Sequence, residues 1–87
     1  MRLMPKDLKN AWEVRENKLF LSTKQKDFMA CVNLINQIAQ IAEKMSHHPN
    51  LSIKSYKTLE IELYTHTEGK ITEKDWELAG EIDKILG

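Results

Sequence analysis

The chain has a single cysteine among its 87 residues, so no internal disulfide is possible and a reducing compartment fits. No apolar run is long enough to span a bilayer, and Met1-Arg2-Leu3-Met4-Pro5-Lys6-Asp7 lacks the apolar stretch of a secretory leader. A cytoplasmic protein without a membrane role is therefore expected. Charge of either sign is not in excess: 13 Lys and Arg balance 13 Asp and Glu. There is no electrostatic case for binding nucleic acid or an anionic membrane. Three glycines and two prolines leave no room for a flexible linker, and no repeat or low-complexity stretch occurs. The chain reads as one domain over residues 1–87. Hydrophobic residues make up 41%, enough for one modest core, and oligomerisation would help a chain this short to bury more.

What is present falls into alternating blocks. Pro5 to Ala11 suits a short opening helix with proline in its first turn. Trp12 to Glu16 alternates like a strand, Asn17-Lys18 can turn, and Leu19 to Ser22 can return as the second arm of a hairpin. Ser22 or Thr23 can cap a helix from about Lys24 to Met45. Phe28, Val32, Ile35, Ala39 and Ala42 form its stripe, and Cys31, Leu34, Ile38, Ile41 and Met45 widen it to about half the circumference at ~100° per residue. So wide a stripe fits either a plain core or a second subunit. Leu51 to Tyr56 and Leu59 to Thr65 alternate as strands, with Leu59, Ile61 and Leu63 on the buried side. Thr72 caps the last helix, with Asp75 three residues on in a capping-box position, and Leu78, Ala79, Ile82, Ile85 and Leu86 point inward. The expected fold is α+β, in the order α-β-β-α-β-β-α. A four-stranded antiparallel sheet carries its helices on one face.

The chemistry concentrates at Glu43-Lys44-Met45-Ser46-His47-His48-Pro49, where a helix must end because proline disfavours helical geometry at the preceding residue. Adjacent histidines in extended backbone point to opposite sides, so the two rings serve different tasks. Glu43 and His47, four apart, become neighbours if the helix persists. His66 closes a strand further on, and all three histidines lie at ends of elements, where binding groups concentrate. Asp75 falls on the inward stripe of the last helix, as a cap or as a carboxylate orienting an imidazole. A zinc site is not suggested: neighbouring histidines diverge in a strand and no His-Glu-x-x-His pattern occurs. Cys31 reads as core, and Trp12 and Trp76 as core or interface. Two classes survive: a metal-free acid/base enzyme for a small uncharged ligand, and a non-catalytic dimerisation module whose histidines are incidental.

The pattern Glu43-x3-His47-His48-Pro49-x6-Tyr56-x9-His66-x8-Asp75 resembles the signature of the pterin-4a-carbinolamine dehydratases. Ala42-Glu43-Lys44, the run Leu63-Tyr64-Thr65-His66, and Thr72-Glu73-Lys74-Asp75 with Leu78-Ala79 are similar to that family as well. The likeness is firm from Asp27 onward and loose before it. It implies a lyase that removes water from 4a-hydroxytetrahydropterin to give quinonoid dihydropterin in tetrahydrobiopterin recycling, with no metal and no cofactor. It implies that His47, His48 and His66 surround the pterin as the catalytic groups. His47 and His66 would donate protons to the hydroxyl, and His48 would anchor the ring or accept a proton. Glu43, Ser46, Pro49, Tyr64, Thr65, Thr67, Asp75 and Trp12 would bind substrate or orient these rings. It implies a homodimer or homotetramer, and leaves a non-catalytic dimerisation or transcriptional-coactivator role as the alternative. The chain departs from the family pattern at Ser46, where Asp is usual before the histidines. It departs also at Leu51, where a bulky aromatic is usual, and at Gly69-Lys70, where a double glycine is usual. By the resemblance, these changes touch pocket edges and packing, not the proton-moving groups.

Overall fold

The computed structural model describes residues 8–87. The elements run β1 (Glu13–Arg15), β2 (Lys18–Lys24), α1 (Phe28–Met45), β3 (Asn50–Lys54), β4 (Thr58–Leu63) and α2 (Glu73–Leu86). The strands form one antiparallel sheet in the order β1-β2-β4-β3, so the last strand to form in sequence sits between its two partners. The expected α+β architecture is therefore present. The expected opening helix falls partly on residues outside those described, and its described part, Leu8 to Ala11, is irregular rather than helical. Its place is taken by contacts from Lys9, Asn10 and Trp12 to the Asp83 carboxylate on α2.

Register explains which face is buried. Leu21, Ile61 and Leu51 stand opposite one another across β2, β4 and β3, as do Thr23, Leu59 and Ile53. Directly paired residues share a face, so these rows form one apolar surface. Cys31, Leu34 and Ile38 of α1 and Trp76, Leu78, Ala79 and Ile82 of α2 close over it. Leu19, Ile38, Leu59, Ile61, Leu63, Leu78 and Ile82 are completely enclosed, each contributing about 1.5–3 kcal/mol of burial. The wide stripe of α1 divides: Cys31, Leu34, Ile38 and Ala42 are buried, while Phe28 is more than half exposed, as is its neighbour Met29 outside the stripe.

Boundaries shift for local reasons. The first hairpin turns at Glu16 and Asn17, both with positive φ, as a two-residue turn between antiparallel strands requires. β2 then continues to Lys24 because Thr23 and Lys24 pair with Leu59 and Thr58 of β4. The helix start consequently moves past Ser22 and Thr23. Asp27 is the cap, its side chain accepting from Ala30 N–H at 2.8 Å.

Candidate functional site

The C-terminus of α1 sets the site. The helix stops after Met45, and Ser46 adopts a left-handed conformation with φ 52 and ψ 40. Ser46 N–H donates to Glu43 O at 3.2 Å and His47 N–H to Ala42 O at 3.1 Å, the paired bonds of a Schellman motif. The chain then leaves the helix with its two histidines pointing apart. His47 turns inward and is 9% exposed; His48 faces solvent. The expectation that Glu43 and His47 pair along the helix is corrected here, because the helix ends before His47. Glu43 instead meets His48, with its Oε2 2.6 Å from Nε2.

His47 meets the other end of the fold. Its Nε2 lies 2.5 Å from Oδ1 of Asp75, which is fully buried at the third position of α2. The other carboxylate oxygen, Oδ2, accepts from Thr65 Oγ1 and from Thr72 N–H, both at 2.9 Å. The bond from Thr72 N–H is the reciprocal half of a capping box, so one carboxylate both starts the helix and holds the imidazole. Oδ2 thus has two donors, and Oδ1 faces the imidazole.

Thr65 is itself fixed by the loop that follows β4. Its N–H donates to Lys70 O at 3.0 Å and its carbonyl accepts from Gly69 N–H at 2.8 Å. Gly69 takes φ +66 to close that loop, a conformation glycine adopts without steric cost. His66, next along, is exposed and makes no hydrogen bond to the described residues. Its ring packs on Tyr64, with centroids 4.4 Å apart and planes tilted by 57°. The Lys18 ammonium lies 5.2 Å from the centroid of Tyr64 on that ring's own account.

These groups border one cleft of about 310 Å³. His47, His48 and His66 line it together with Ser46, Pro49, Thr65 and Thr67, and so do Asn50 and Lys74, which sequence reasoning did not select. Asp75 stands behind His47, Glu43 beside His48 and Tyr64 against His66, supporting the rings rather than lining the cleft. Trp12 is placed elsewhere: it is buried in the core and donates Nε1–H to Asp83 at 2.8 Å. Among the described residues, no three His, Cys, Asp or Glu side chains gather closely enough to hold a metal ion. No helix among them is long and apolar enough to cross a membrane.

The arrangement suits proton transfer. Two imidazoles each have one ring nitrogen committed to a carboxylate, a third is unpartnered among the described residues, and all three face the same hollow. Imidazole can give or take a proton near neutral pH.

Comparison with known proteins identifies the family. The sequence profile of the family described as Pterin 4 alpha carbinolamine dehydratase matches residues 2–85. A Sulfolobus acidocaldarius protein named "Putative pterin-4-alpha-carbinolamine dehydratase" is 45% identical over 74 residues, covering 85% of this chain and 80% of its own length. A Nostoc punctiforme protein of the same name is 36% identical over 76 residues, covering 87% and 81%. Among solved structures, a Brucella melitensis protein described as a transcriptional coactivator/pterin dehydratase superposes with a TM-score of 0.83. It is 29% identical, with 100% of both chains covered. A pterin dehydratase-like RuBisCO assembly factor of the alpha-carboxysome shares the fold, with a TM-score of 0.69 at 18% identity over 87% of each chain. By the profile match along almost its whole length and by these relatives, the chain belongs to the pterin-4a-carbinolamine dehydratase family.

Proposed function

We propose that the protein is an active dehydratase that eliminates water from 4a-hydroxytetrahydropterin. The observation that carries this reading is the convergence of His47, His48 and His66 on one cleft, two of them backed by carboxylates. Its volume, about 310 Å³, lies at the small end of ligand pockets, ~300–1,000 Å³, and suits a bicyclic ring. The elimination needs a proton delivered to the departing 4a-hydroxyl and a proton removed from N5. Water and quinonoid dihydropterin are the products. His47, with Asp75 to stabilise its imidazolium form, and His66 serve as donors to the hydroxyl. His48, carried on the more exposed side with Glu43, anchors the ring or accepts the N5 proton.

On this reading the protein works in the cytoplasm in tetrahydrobiopterin recycling. It does so as a homodimer or homotetramer, which would cover Phe28 and Met29 on the outer side of α1. The alternative is a family member that keeps the fold for dimerisation or transcriptional coactivation without catalysis. The Brucella protein's description includes a coactivator role, and an intact set of supported histidines favours catalysis.

The test is direct. Purified protein is added to freshly generated 4a-hydroxytetrahydropterin and the loss of substrate absorbance is followed against the uncatalysed rate. Acceleration in the wild type, lost in His47→Ala and in His48→Ala while circular dichroism is unchanged, supports the dehydratase. No acceleration, or full acceleration in both variants, overturns it.

A further inference from the structure

The His47–Asp75 pair leaves open which imidazole nitrogen meets the ligand, and the threonines behind it answer the question. Thr72 N–H can only donate, and it donates to Oδ2 of Asp75 at 2.9 Å. Thr65 Oγ1 donates to the same oxygen at 2.9 Å. Thr65 Oγ1 also lies 2.6 Å from Thr72 Oγ1. A hydroxyl has one proton, and that of Thr65 is already given to the carboxylate. The proton between the two threonines therefore comes from Thr72, and the chain runs in one direction: Thr72 O–H to Thr65, Thr65 O–H to Asp75. With Oδ2 occupied by two donors, Oδ1 is left for His47, 2.5 Å from Nε2. A carboxylate accepts only, and facing one the imidazole has Nε2 as its donor. Nδ1 makes no hydrogen bond to the described residues. His47 lines the cleft with its side chain 10% exposed, and Nδ1 is the ring nitrogen not engaged by Asp75.

We propose that Thr65, keyed by Thr72, is a positioning residue that aims Asp75 at His47, so that the imidazole is held as its Nε2–H tautomer and Nδ1 is the atom that exchanges a proton with the ligand. Thr65 is suited to this because its backbone is pinned on both sides by the Thr65–Lys70 loop and its branched side chain has few rotamers. Loss of its hydroxyl leaves Oδ2 with one donor and frees the carboxylate to swing. The kinetic half of the inference rests on the dehydratase reading; the tautomer half does not.

The full chain, labelled with ¹⁵N-histidine, is observed by long-range ¹H–¹⁵N correlation at a pH where the rings are neutral. His47 signals are assigned by their absence in His47→Ala. Wild type should show a pyrrole-type Nε2 and a pyridine-type Nδ1. In Thr65→Val the two nitrogen shifts should converge as tautomers mix, and Thr65→Ser should restore the separation. The dehydration rate of Thr65→Val should fall about 10-fold, the factor that one hydrogen bond to a charged group is worth, and recover in Thr65→Ser. Thr72→Val, which leaves the cleft lining untouched, should move both readouts the same way by less. If Thr65→Val does not fold, Thr72→Val carries the test. A wild-type Nδ1–H tautomer overturns the proposal, as do unchanged nitrogen shifts in folded variants, even if the rate falls. A wild type with the predicted tautomer and no dehydratase activity overturns the functional reading and leaves the positioning role standing.

Discussion

Helix α2 buries two carboxylates, Asp75 near its start and Asp83 near its end, and they do different work. Asp75 accepts from a threonine hydroxyl, a backbone N–H and an imidazole. Asp83 accepts from Lys9 N–H at 2.7 Å, and from Asn10 Nδ2 and Trp12 Nε1, both at 2.8 Å. Both are satisfied and both are out of water. Only Asp75 has a partner that can take up and release a proton near neutral pH, and that partner lines a cleft. A buried carboxylate is thus not in itself a sign of catalysis. What it binds decides, and Asp83 binds groups that only ever donate.

Asparagine at position 75 should break the comparison most sharply. Asp75→Asn keeps shape and removes the charge that supports His47, and the dehydration rate should fall by roughly 100- to 10,000-fold, the usual contribution of a positioned acid/base group. Steady-state kinetics on folded protein checks this; a rate near wild type would make Asp75 a structural residue like Asp83. Next in size, Asp83→Ala should leave the rate per folded molecule unchanged and cost about 2–4 kcal/mol of stability. It strands the buried Trp12 N–H and releases the first described residues. Urea denaturation measures the cost, and a lowered rate at full folding would mean that the two carboxylates communicate. The smallest effect belongs to a third carboxylate. The Glu43–His48 pair is exposed, so Glu43→Gln should change stability by less than about 1 kcal/mol, read from the same urea midpoints.

Much of this was legible in the residues, and the failures have causes. α1, β4 and α2 declared themselves because one buried face repeats with the period of the element: Cys31, Leu34 and Ile38; Leu59, Ile61 and Leu63; Leu78, Ala79 and Ile82. The cap of α1 was misplaced because strand pairing with β4 drew Thr23 and Lys24 into β2, which local propensity cannot foresee. The described end of the expected opening helix, Leu8 to Ala11, is irregular for a similar reason: Asp83 competes for the polar groups of Lys9 and Asn10. Asp83 had a faint signal, since it lies within ~20° of Trp76 and ~40° of Ala79 around the helix. The three histidines and Asp75 were visible as a constellation. Their pairing was not, because Asp75 reaches His47 across 28 residues and Trp12 reaches Asp83 across 71. Spacing reports neighbours along an element; only tertiary packing decides which distant donor finds which acceptor.

Ser46 has one further consequence. Because its backbone is left-handed, the position acts as a sieve for amino-acid type: serine, asparagine, aspartate and glycine pass, whereas valine, isoleucine and threonine crowd their own carbonyls there. Exchange of Ser46 for glycine or another small polar residue should therefore keep the left-handed turn, and with it the divergence of the two imidazoles.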